Sequence, residues 1–79
     1  MKRWELNHEG NLVVVENRAF SEKLYVNGEL QDEAFSGICD AGSRLWGQLK
    51  TGEPIKVSIG GVCSVHCRIF INNKLMLSQ

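Results

Sequence analysis

Long apolar runs are missing from this chain. Near its N-terminus the longest, Leu12 to Val15, is four residues, far short of the ~20 of a membrane-spanning helix or the roughly 7–15 of a signal-peptide core. The opening Met-Lys-Arg-Trp-Glu leads into nothing of that kind, so the expectation is a cytoplasmic protein that is not processed. An excess of one charge is missing as well. Nine basic and nine acidic residues cancel, and no run of like sign occurs. A face for nucleic acid needs clustered Lys and Arg to neutralise phosphates, and anionic membranes make a similar demand. Neither nucleic acid nor membrane is expected as a partner. A disulfide framework is also lacking: three cysteines cannot pair completely within one chain, and their spacing fits no such scaffold. Three free thiols in a reducing compartment are expected. No helical period of useful length occurs anywhere.

What is present is a β pattern. Seventy-nine residues make one domain, residues 1–79, whose core supplies only about 3–5 kcal/mol, so association with another chain is a live prospect. Residues 62 to 77 form the longest β-rich run, with Val65, Ile69, Phe70 and Ile71 suited to a pleated, half-buried surface. Earlier strands are expected over 3–7, 12–16 and 23–26, with 29–31 returning. Residues 32–43 lack a clear period and read as a linker with one helical turn near Asp32 to Phe35. A strand then covers 44–50, with Leu45, Gly47 and Leu49 on one side. Pro54 sits where its missing donor is tolerable, at the start of a strand in which Ile55, Val57 and Ile59 alternate with Lys56 and Ser58. Asn27-Gly28 and Asn72-Asn73 suit two-residue hairpin turns, because both tolerate positive φ. The expected fold is all-β, with six to seven short antiparallel strands as a small sandwich or strongly curved sheet.

The two halves of the chain resemble each other. Trp4, Gly10, Val13 and Val15 recur as Trp46, Gly52, Ile55 and Val57, offset by 42. Leu24 to Leu30 recurs as Ile69 to Leu75, offset by 45. This is a weak two-fold repeat over approximately 3–31 and 44–77, and packing one unit on the other would bury both apolar faces. A tryptophan, a glycine turn, a short strand, a Tyr-Val-Asn-Gly-Glu hairpin and then a second round resemble the β-sandwich module of the Fas apoptotic inhibitory molecule. The residues carrying the resemblance are Trp4, Gly10, Tyr25, Val26, Asn27, Gly28, Gly47, Ile71 and Asn72. It implies an all-β, non-enzymatic domain acting through protein contacts. Asn73 departs from it by standing where the second turn's glycine would be.

Strand phase sorts the candidate sites. Cys63, Val65, Cys67, Ile69 and Ile71 share one face, and Ser64, His66, Arg68 and Phe70 the other. A three-residue loop at 60–62 would place Ile59, Val57 and Ile55 opposite Cys63, Val65 and Cys67, so an odd loop or bulge is expected there. Two-residue turns set Tyr25 opposite Leu30, Phe70 opposite Leu75 and Arg68 opposite Leu77. Tyr25, Leu30, Phe70, Leu75 and Leu77 would then form a second apolar surface. Either it is covered, through Phe35 and Ile38 of the linker or as the core of a sandwich, or it is a subunit or partner interface.

Chemistry is sparse. Cys63, His66 and Cys67 tempt a metal reading, but on a strand the sulfurs and the imidazole point opposite ways; His8 and Cys39 stand isolated, so no metal and no cofactor are expected. His66, beside Arg68 and opposite Lys56, should be a partly exposed surface histidine. Cys39 is a possible reactive thiol in a flexible context, but no histidine can be placed beside it. Ser36-Gly37 and Gly42-Ser43 lack the lysine of a phosphate loop. Asp32, Glu33 and Asp40 show no pairing for acid–base work. Trp4 and Trp46 are read as core or interface. The expected function is a non-catalytic binding or protein-interaction module, a homo-oligomer through the Tyr25 and Phe70 face. A small-molecule-binding β domain is the alternative, and a thiol enzyme using Cys39 is a remote one.

Overall fold

The computed structural model describes residues 2–18, 21–35, 42–60 and 66–79. Eight antiparallel strands form two four-stranded sheets, and the described residues contain no helix. The first sheet holds β1 (Lys2–His8), β2 (Asn11–Asn17), β3 (Ser21–Val26) and β4 (Glu29–Phe35) in chain order. The second holds β5 (Gly42–Gln48), β6 (Pro54–Gly60), β7 (His66–Ile71) and β8 (Lys74–Ser78), also in chain order. The described residues thus hold eight strands, against the six to seven expected.

Turn chemistry fixes the hairpins. Asn27 and Gly28 have φ of 52° and 84°, and Asn72 and Asn73 have 54° and 64°, as two-residue turns between twisted strands require. The Glu9-Gly10 turn adopts the same form, with φ of 50° and 79°. Asn27 also ties its turn to β2. Its N–H donates to the Leu12 carbonyl at 2.8 Å, and its side-chain Oδ1 accepts the Leu12 N–H at 2.9 Å. In the second sheet Asn72 N–H donates to the Pro54 carbonyl at 2.9 Å. Proline has no N–H to return, so only half of that clasp exists there.

Inward-facing residues of both sheets build one core. Val13, Val15 and Leu24 of the first and Leu45, Ile55, Val57, Cys67 and Ile69 of the second are fully buried in a single cluster. Each such aliphatic side chain contributes about 1.5–3 kcal/mol by leaving water. Gly47 is the close approach between the sheets: a Cβ there would lie 2.9 Å from Leu24 Cδ2 and 3.4 Å from Gln31 Cβ.

The β6–β7 register differs from expectation. Ile59, Val57 and Ile55 pair with Cys67, Ile69 and Ile71, four residues beyond the expected partners. A shift by an even number keeps every apolar residue on one face, so alternation could not distinguish the two registers. His66 accordingly pairs with Gly60, and Phe70 is the residue opposite Lys56. The strand expected over 62–65, with Cys63, Val65 and the 60–62 loop, lies largely outside the described residues.

Two bulges account for the remaining differences. Pairing shifts between Leu24 and Tyr25, leaving Gln31 unpaired, and between Ile69 and Phe70, leaving Met76 unpaired. Past each bulge the strand's faces exchange. Leu77 therefore stands opposite Ile69 instead of Arg68, and packs against the core. Asp32 stands opposite Leu24, so the acidic stretch read as linker or helical turn is the second half of β4. Its carboxylate accepts the Glu33 N–H and, across the gap between sheets, the Trp46 N–H, each at 2.9 Å.

Candidate functional site

The outer face of the second sheet carries two neighbouring cross-strand rows. One runs Trp46, Lys56, Phe70, Leu75; the other runs Arg44, Ser58, Arg68, Ser78. Each row takes one residue from every strand, so neighbours stand one strand spacing apart, about 5 Å. Leu45 of β5 and Leu49 just after it are buried in the core, which turns Trp46 outward. Trp46 is 56% exposed and Leu75 51% exposed, whereas Trp4 is 7% exposed within the core. The two tryptophans therefore do not play the same part: of the expected core or interface positions, Trp4 takes the core, and Trp46 stands exposed on the outer face. The Lys56 ammonium lies 5.4 Å from the centre of the Trp46 ring, within cation–π range.

This face is cationic. Arg44, Lys56 and Arg68 lie on it without a carboxylate among its two rows. The balanced total conceals a partition. Residues 2–35, which span the first sheet, hold Lys2, Arg3, Arg18 and Lys23 against seven acidic residues. Residues 42–78, which span the second, hold five basic residues against Glu53 alone. Dispersion along the sequence becomes separation in space because each sheet is one continuous half of the chain.

The first sheet's outer face has a corresponding row, Glu5, Val14, Tyr25 and Leu30. Its charges are matched locally: Arg3 with Glu5 at 3.3 Å, Arg18 with Glu16 at 3.1 Å and Lys23 with Glu33 at 3.4 Å. Val14 is nevertheless 5% exposed at the floor of a shallow groove bordered by Arg3, Leu12, Glu16 and Tyr25.

The expected interface is thus divided. Tyr25 and Leu30 lie on one sheet's outer face, Phe70 and Leu75 on the other's, with the shared core between, and Leu77 is partly buried against that core. Nor do the four outward residues form a sandwich core, since Leu30 and Leu75 are each at least half exposed. Ile38 and the Phe35 side chain, proposed above as a cover, lie outside the described residues. Sequence reasoning missed Trp46 as an exposed residue. The signal was available in the one-sided Leu45, Gly47 and Leu49, which leave Trp46 on the opposite face.

Among the candidate thiols, Cys67 is fully buried in the core, and burial pushes its thiol up to about 12. A thiol held protonated is a poor nucleophile and a poor ligand. His66 is exposed and outward, so it does not share a face with Cys67. Cys39, Cys63 and Asp40 lie outside the described residues. His8 is not isolated: it meets Glu9 and Glu53, whose carboxylates each lie 3.9 Å from its Nε2.

No protein-family model matches the chain, and neither a curated protein nor a solved structure matches it.

Proposed function

We propose that this protein is a non-catalytic interaction module, a small β-sandwich that docks an acidic protein partner on the outer face of its second sheet. The observation that carries the proposal is the pair of adjacent rows, one aromatic and apolar, one of arginine and serine. Exposed Trp46 and Leu75 flanking a half-buried Phe70, beside arginines, have the composition of a binding hot spot. Arginine takes a carboxylate in a bidentate fork. A protein surface suits the face better than a nucleic acid, because Lys56 occupies the Trp46 ring face on which a base would stack. Two copies of the face would bring three cations against three, which opposes the homodimer expected through Phe70.

The sandwich carries a duplication in this reading. Both bulges fall at matching places, Leu24/Tyr25 and Ile69/Phe70, at the same offset of 45 as the hairpins. The first strand of each unit aligns one residue differently: Leu45, not Trp46, pairs with Val57 as Trp4 pairs with Val15. That slip frees a tryptophan for the outer face. The resemblance to the Fas apoptotic inhibitory molecule module agrees with the proposal in what it implies, an all-β domain acting through protein contacts.

The test is a fluorescence titration of Trp46 with three probes: a peptide alternating glutamate with leucine and phenylalanine, its lysine counterpart, and an oligothymidine of equal length. The proposal expects a salt-dependent spectral change with the acidic peptide only, lost in Trp46→Ala and in the double variant Arg44→Ser/Arg68→Ser. A response to oligothymidine alone, or to none of the three, overturns it.

A further inference from the structure

We propose that His8, Glu9 and Glu53 bind a divalent transition-metal ion that clips the β1–β2 turn to the approach of β6. The three residues come from opposite halves of the chain. His8 ends β1 on the inward phase that Trp4 and Leu6 set. Glu9 is the first turn residue after it, and Glu53 immediately precedes Pro54 at the start of β6. Nothing in the sequence joins residues so far apart; the packing of one sheet on the other does.

The decisive atom is His8 Nε2. It is buried and makes no hydrogen bond, although its side chain keeps 17% exposure. Its polar neighbours are Glu9 Oε2 and Glu53 Oε2, each at 3.9 Å. That separation exceeds the roughly 2.7–3.2 Å of a hydrogen bond and suits two ligands of a common ion. One ligand atom from each residue lies within 4.8 Å of the other two. Any such triangle encloses a point less than about 3 Å from all its corners, so shifts of under an ångström reach the ~2.0–2.2 Å of zinc coordination.

The donor set selects the ion. One imidazole nitrogen and two carboxylates, with no thiolate, suit zinc and its first-row neighbours. Calcium and magnesium prefer shells of oxygen alone. Three protein ligands leave room for water to complete the shell. A clip between residues 8 and 53 would tie the two halves together, and a domain this small gains from such a staple.

Calorimetry of the chelator-washed full chain tests the site, with Zn2+ as probe and Mg2+ as control. One Zn2+ per chain is expected, together with a melting temperature that rises with Zn2+ and is unmoved by Mg2+. Glu53→Gln and His8→Gln should each weaken binding by at least about tenfold. Glu9→Asn should weaken it as much while leaving the metal-free melting temperature intact, because asparagine tolerates the φ of 50° at that turn position. That variant separates a lost ligand from a lost fold. Absence of Zn2+ binding overturns the proposal. So does binding that survives both Glu53→Gln and Glu9→Asn, or a Co2+ spectrum dominated by thiolate charge transfer, which would place the ion on cysteine.

Discussion

Asp32→Ala should weaken the join between the sheets out of proportion to one exposed-edge residue. The Asp32 carboxylate accepts two backbone amides at 2.9 Å, Glu33 in its own strand and Trp46 on the neighbouring sheet. A hydrogen bond to a charged acceptor contributes about 1.5–3 kcal/mol. The Trp46 bond is exposed, and the Glu33 bond only partly buried, so water replaces much of each. The net loss is then about 1–2 kcal/mol for the pair. Against the ~3–5 kcal/mol a core of this size supplies, that is a large fraction. At roughly 4–8 °C per kcal/mol for domains of this length, melting should fall by about 4–16 °C. Urea denaturation provides the assay, with a lower midpoint and an unchanged slope. Glu29→Ala, which removes an equal charge from the exposed first residue of β4, is the control and should stay within about 0.5 kcal/mol of the parent. Amide exchange at Trp46 should quicken in Asp32→Ala alone. Equal midpoints for the two variants would refute the reasoning.

Cys67 gives a pH dependence with a definite sign. Its folded value, raised from 9.0 to about 12 by burial, means the unfolded chain loses the proton first. Stability is therefore intact below about pH 9 and falls as pH climbs toward 12, by up to about 1.4 kcal/mol per pH unit. Cys67→Val should fall less steeply in urea midpoints across that range; parallel curves would contradict this. The tryptophans should separate in urea denaturation: Trp4→Ala should cost about 3–5 kcal/mol, and Trp46→Ala under about 1 kcal/mol, mainly the cation–π contact with Lys56. Equal costs would mean the β5 phase is wrong. Gly47→Ala should destabilise by about 1–3 kcal/mol through overpacking, because Leu24 is fully buried and cannot swing away from the added methyl. A neutral result by thermal melting would put the sheets further apart than this.

Much of the fold can be read from the chain, because alternation fixes faces and asparagine or glycine fixes turns. Ile55, Val57 and Ile59 announce a half-buried strand, and the Tyr25–Leu30 and Phe70–Leu75 pairs follow from two-residue loops. Alternation has a period of two, however, so it could not choose between β6–β7 registers four residues apart. It also assumes regular pairing. The bulges at Gln31 and Met76 exchange faces with no local mark in the sequence, which misplaced Leu77 and disguised Asp32 as linker. The candidate site was less legible. Residue type alone left Trp46 between core and interface, and only the strand phase of Leu45 and Gly47 turns it outward. Separating Tyr25 from Phe70 required knowing that their hairpins belong to different sheets. His8 and Glu53 meet only through tertiary packing.

The most direct test of the docking face is a map of amide chemical shifts as the acidic peptide is added to the labelled protein. Shifts should concentrate at Arg44, Trp46, Lys56, Arg68, Phe70 and Leu75, with β1 to β3 unchanged. Shifts centred on Tyr25 and Leu30, or spread evenly over both sheets, would contradict it.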